Sequence, residues 1–148
     1  MIEMTIDEMR KFVDNVSSHK VEVKLVPIRE LAPFAGISQI NDDGSKSISV
    51  TKGVHRSLSG KPVTKSFIRA FLLHELGHLN TTADKDPHVN EYRAHLWAIE
   101  KGLSLGYQKV VATLREEIID WQNLEDTEDF AKYRKASKLY LEEVGFVI

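Results

Sequence analysis

Between Thr64 and Leu79 the chain carries a segment that is apolar on nearly every side of a helix yet places ionisable groups inside it. Phe67, Ile68, Ala70, Phe71, Leu72, Leu73, Leu76 and Leu79 surround the axis, Thr64 supplies an N-cap, and the run His74-Glu75-Leu76-Gly77-His78 occupies the last turns. A helix of this kind must be covered by the rest of the fold. Burying two imidazoles and a carboxylate in it is costly unless a partner satisfies them. Gly77 adds a second constraint, because glycine in a helix interior costs about 1 kcal/mol against alanine, and the compensation expected here is close approach of another backbone element.

Positions four apart lie on one face of a helix a single turn apart, so His74 and His78 present two imidazoles to the same point. Cysteine is absent from the chain, which leaves His, Asp and Glu to bind any metal. Neutral imidazoles suit Zn2+, and a catalytic zinc takes three protein ligands with one position left for water. Glu75 stands about 100° further round the helix, badly placed as a third ligand but able to reach a water beside the metal. Its expected role is general base in the hydrolysis of a peptide bond, taking a proton from the attacking water and returning it to the leaving amine.

The third ligand has to come from elsewhere. Asp86-Pro87 opens another helix, expected to run to about Lys101 and to end at Gly102, on which His88, Glu91 and His95 share one face. Glu91 is the choice as third ligand, completing a His, His, Glu set; His95, one turn on, is either an alternative ligand or a group that contacts a ligand from behind. Asp84 is a weaker candidate in the Asn80–Lys85 loop, and His88 reads as an ordinary helix-surface residue.

The 148-residue chain as a whole reads as α+β. Thr5 and Glu8 have capping-box spacing before an amphipathic helix that ends near Ser17. Val21–Val26 alternates and stops at Pro27, a second extended run spans Phe34–Ile40, and Asn41-Asp42-Asp43-Gly44 turns the chain into Lys46–Thr51. The small sheet is expected to be mostly antiparallel, with Ser47, Ser49 and Thr51 on a polar outer face. Two further helices follow, Tyr107 to about Trp121 and Thr127 to about Val144. One domain is expected over 1–148, with a catalytic core to about 105 and a helical extension over 106–148. A net charge of −2, without runs of like charge, gives no reason to expect nucleic acid as a partner. With no leader-like N-terminus and no apolar run of spanning length, a soluble cytoplasmic protein is expected, with no membrane partner.

The segment Phe71 to His78 (FLLHELGH) followed by Glu91-Tyr92-Arg93-Ala94-His95-Leu96-Trp97-Ala98 resembles the ImmA/IrrE family of zinc metallopeptidases, in which HELGH precedes an E-x-E-A-(D/N)-x-F-A stretch. Glu91, Ala94 and Ala98 keep the second motif. Arg93 stands where a second acidic residue is usual, His95 replaces Asp or Asn, Trp97 replaces Phe, and no Leu-Leu-Met-Pro-like sequence follows at Ile99–Leu103. The resemblance implies a zincin fold with an HExxH active-site helix, Glu91 as third ligand, and a phage or mobile-element setting in which a protein substrate, a repressor, is cleaved. Metzincins are disfavoured, since Thr81 and Asp84 occupy the places of their glycine and third ligand. Zincins commonly bind substrate along a sheet edge, a part open to Lys46–Thr51. Tyr92, Tyr107, His55 and Arg93 are the candidates to stabilise the oxyanion. Two other readings stand beside the peptidase: a non-catalytic zincin-fold regulatory protein that docks on a partner, and hydrolysis of a non-peptide amide.

Overall fold

The computed structural model describes residues 4–27, 36–51, 60 and 62–145. Helix α1 (Ile6–Val16) begins with the expected capping box: the Glu8 amide donates to the Thr5 hydroxyl at 3.1 Å, and the Thr5 amide donates to the Glu8 carboxylate at 3.3 Å. Its apolar stripe of Met9, Phe12, Val13 and Val16 is buried, facing β1 (Val21–Val26) and the helix that carries His74. Lys65 donates to Glu8 at 3.1 Å, which fastens the start of α1 to the start of that second helix.

Strands β2 (Gly36–Ile40) and β3 (Lys46–Thr51) form the expected antiparallel hairpin, closed by the Gly44 amide on the Asn41 carbonyl at 2.9 Å. The sheet as a whole differs from expectation. Its order is β1-β3-β2, and β1 pairs with β3 in parallel, so the sheet is mixed rather than mostly antiparallel. Local alternation specifies which side chains share a face; it carries no information on which strand becomes the neighbour. Two consequences follow. Lys46–Thr51 is the central strand, bonded on both sides, and the two edges of this sheet belong to β1 and β2. Ser47 and Thr51 are buried rather than solvated, as befits a strand flanked by others.

Helix α2 (Lys65–Asn80) starts at Thr64, whose hydroxyl accepts from the Phe67 amide at 3.1 Å. Leu72, Leu73 and Leu76 are fully buried in it, and it packs against α1, the hairpin, and the next two helices. Helix α3 (Pro87–Ser104) has the expected proline in its first turn but runs through Gly102. What stops it is Gly106 at φ +81°, where the Gly106 amide reaches the Leu103 carbonyl and the Tyr107 amide reaches that of Gly102. This pair of bonds is a Schellman closure, which needs the left-handed backbone that glycine adopts at no steric cost. Helix α4 (Gln108–Asp120) continues into a 3-10 turn at Trp121–Asn123, and a second such turn, Glu128–Phe130, leads into α5 (Ala131–Glu143). Both α4 and α5 pack on α3. The result is an α+β arrangement in which α2 packs on the sheet and α3 joins α2 to the last two helices. Among the described residues no helix is long and apolar enough to cross a membrane.

Candidate metal centre

The approach that Gly77 was expected to permit is made by α3. A Cβ at position 77 would collide with the Ala94 carbonyl and lie 2.8 Å from the Ala94 Cα. This contact sets the spacing between the two helices, and it brings Glu91 opposite His74 and His78. Among the described residues these three form the group able to hold a metal ion, each offering one donor atom, all within 4.8 Å of one another. His74 Nε2 is 3.0 Å from Glu91 Oε1, His78 Nε2 is 3.1 Å from Glu91 Oε2, and the two Nε2 atoms are 3.1 Å apart. Donors arranged tetrahedrally at 2.0–2.1 Å from an ion lie ~3.3 Å from each other, so the spacing fits a small cation. Two imidazole nitrogens and a carboxylate are a donor set that could hold a metal ion; the same carboxylate also pairs with Lys132, whose Nζ lies 3.8 Å from Glu91.

His95 is not among the converging donors. It lies behind His74, with the two Nδ1 atoms 2.9 Å apart, while its Nε2 is 2.6 Å from the Leu114 carbonyl in α4. A carbonyl only accepts, so His95 Nε2 carries a proton. Burial, reinforced by the nearby His74, holds the His95 pKa down to about 3, so the ring is neutral and its Nδ1 is an acceptor. His74 Nδ1–H must then donate to it, which leaves Nε2 as the His74 atom that faces Glu91 and His78. Of the two roles open to His95 from the sequence, the geometry favours contact with a ligand from behind. Trp121 closes this corner edge-on, its ring centroid 5.9 Å from His74 and 5.1 Å from His95.

The charges respond to this packing. Burial opposes ionisation of Glu91, yet hydrogen bonds from His74 and His78 outweigh it and hold the carboxyl well below the usual carboxylate range. Burial likewise opposes protonation of His78, but the hydrogen bond and charge of Glu91 leave its pKa raised. Glu75 responds in the other direction. Burial pushes its carboxyl up, although His74, His78 and a hydrogen bond from Ser38 of β2 draw it back in part. A carboxyl with a raised pKa beside a group that could hold a cation is suited to exchanging a proton.

Several sequence candidates stand away from this centre. Arg93 is bound to the α2–α3 loop, donating to the Thr82 carbonyl at 3.3 Å and pairing with Asp84 at 3.8 Å. Asp84 orders that loop through Asn90, whose side chain accepts from the Asp84 amide at 2.7 Å and donates to its carbonyl at 3.0 Å. Tyr107 packs on Phe12 with ring centroids 5.3 Å apart, and Tyr92 packs against the apolar core. His88 is half-buried near the start of α3, outside the donor group, and His55 lies outside the described residues.

Two side chains not foreseen take part instead. Tyr133 and Lys132, at the start of α5, line the groove that holds Glu75, His78 and Glu91. Burial, together with the charges of Glu91 and Glu75, pushes the Tyr133 phenol up, so it stays protonated and able to donate. Nothing in the pattern around Tyr133 could have signalled this, since its helical spacing with Ser137 and Tyr140 marks only a buried face. The opposite wall of the groove is β2 from Gly36 to Ile40, and its volume is about 490 Å³. Compared with known proteins, the chain matches no family model, no curated protein and no solved structure.

Proposed function

We propose that the chain is a zinc-dependent endopeptidase acting on a polypeptide laid along β2, with His74, His78 and Glu91 as ligands and Glu75 as general base. The observation that carries this reading is the meeting of a buried His-His-Glu donor group, a carboxyl of raised pKa beside it, and an open groove walled by an edge strand. Zinc, when bound, supplies a Lewis acid and lowers the pKa of water towards about 7. Every other role falls to the chain. Glu75 accepts the proton of the attacking water on its carboxylate and delivers it to the amide nitrogen that leaves. Ser38 orients Glu75 through its hydrogen bond. Tyr133 replaces Tyr92, Tyr107, His55 and Arg93 as the donor best placed for the carbonyl oxygen as it gains charge. Among the described residues β2 is bonded to β3 on one side only, so its other edge could take up an extended peptide, as Lys46–Thr51 cannot.

The resemblance of HELGH and of Glu91 to Ala98 to the ImmA/IrrE pattern supports the same chemistry, and makes a repressor of phage type the first substrate to try. Protein purified without added zinc should carry about one zinc per chain, and His78→Ala should lose it. Wild type should cleave a candidate repressor while Glu75→Gln, still loaded with zinc, should not. Equal biological effect of both proteins would replace the peptidase with the docking protein, and a metal-free wild type would remove the centre itself.

A further inference from the structure

A second cavity opens from the groove and is of different character. It shares Gly36, Glu75, Glu91 and Tyr133 with the groove, so the two meet at the centre. Away from that junction its walls are mostly apolar, Phe67, Ala70 and Phe71 of α2, Leu114 of α4 and Trp121, with the His74 and His95 rings at one side. It offers room of about 80 Å³, against the ~10–15 Å³ that one water requires on the same measure. Cores of this density close over voids of that size, so one that persists between mostly apolar walls is suited to an apolar guest.

We infer that this recess receives one large apolar side chain of the substrate, next to the bond that is cut, and so sets the sequence preference of the enzyme. The inference rests on the peptidase reading and adds the substrate class to it. An extended peptide in the groove passes Glu75 and Glu91 at the junction, where a side chain pointing away from β2 has the recess before it. A charged side chain would lose its hydration there against Phe67, Phe71, Leu114 and Trp121, whereas a Leu, Met or Phe side chain gains by leaving water. Glu117 also reaches the recess, so a preference for Lys or Arg is the competing outcome.

Two variants change the volume in opposite directions. Ala70→Leu fills the recess, and Leu114→Ala enlarges it while keeping the backbone carbonyl that holds His95. Cleavage sites in a mixed peptide library, read by mass spectrometry, should show at least tenfold enrichment of Leu, Met and Phe at one position beside the cut. Ala70→Leu should shift that preference to Ala or Ser, and Leu114→Ala should extend it to Trp. Independently of activity, toluene should bind zinc-loaded Glu75→Gln protein saturably, moving the Trp121 indole N–H resonance but not that of Trp97, and Ala70→Leu should abolish the effect. Toluene binding without cleavage of any peptide supports the recess as an apolar receptor and removes the peptidase reading. Cleavage with no apolar preference, with a Lys or Arg preference, or with a preference indifferent to both variants overturns the inference and leaves the peptidase intact.

Discussion

His74 Nδ1 and His95 Nδ1 stand 2.9 Å apart, and the Leu114 carbonyl fixes which of the two carries the shared proton. A backbone group of α4 therefore sets the proton on Nδ1 of His74, a proposed ligand on α2, by way of a neutral ring on α3. Partners of this kind behind a ligand are typically worth 10–100-fold in metal affinity. His95→Phe should accordingly weaken zinc binding by about that factor in competition with a chelator, with the metal still bound at saturation. Unchanged affinity would show that the ring only fills space.

The same ring makes the chelated protein sensitive to acid. His95 takes up a proton at its ordinary pKa of about 6.5 when unfolded, but only near 3 when folded. Between those values the unfolded chain binds more protons, so stability falls as the pH falls, by at most ~1.4 kcal/mol per pH unit. Glu91, whose carboxyl is held low, adds a loss in the same direction only below its ordinary carboxylate range. His78 and Glu75, whose pKa values are raised, work the other way over part of this range, so the check is a difference: from pH 7 down to pH 5 the denaturant midpoint of wild type should fall relative to that of His95→Phe.

Gly77→Ala tests the contact between α2 and α3. The new methyl would meet the Ala94 backbone, which has no flexible end to move aside. The expected cost is about 1–3 kcal/mol of stability, as for other overpacked cores, against the gain that alanine gives in an open helix. Metal affinity should fall as well, because Glu91 sits on the helix that is pushed away.

Thr64→Ala removes the hydroxyl that accepts from the Phe67 amide and leaves the centre untouched. Stability should drop by ~1 kcal/mol, with zinc stoichiometry unchanged. Loss of metal in this variant would mean that the start of α2 positions His74, three turns away, more tightly than a cap does.

The parts of the site that were legible in the sequence are those whose geometry is local. His74, Glu75 and His78 follow from the helical period, and Glu91 and His95 share a face for the same reason; even Gly77 announced a close neighbour, which proved to be Ala94. The end of α3 was misplaced at Gly102 because a glycine in sequence does not reveal its φ, and the closing residue was Gly106. The edge strand, Ser38, Tyr133 and Lys132 were not legible. Their positions depend on which strand lies beside β3 and which face of α5 meets α3, and alternation or helical spacing specifies a buried face without specifying what it is buried against.

The donor group also lies close together along the chain. His74 and Glu91 are 17 positions apart, on two helices joined by a loop that Asn90 fastens to Asp84, whereas the parallel pairing of β1 with β3 joins Val21 to Lys46 across a longer span. Short-range contacts of this kind are reached early in folding, and long-range strand pairing later. On the proposed zinc reading, the helical hairpin can capture the ion before the sheet exists, so zinc present during refolding should raise the folding rate itself, in addition to slowing the unfolding of the finished protein.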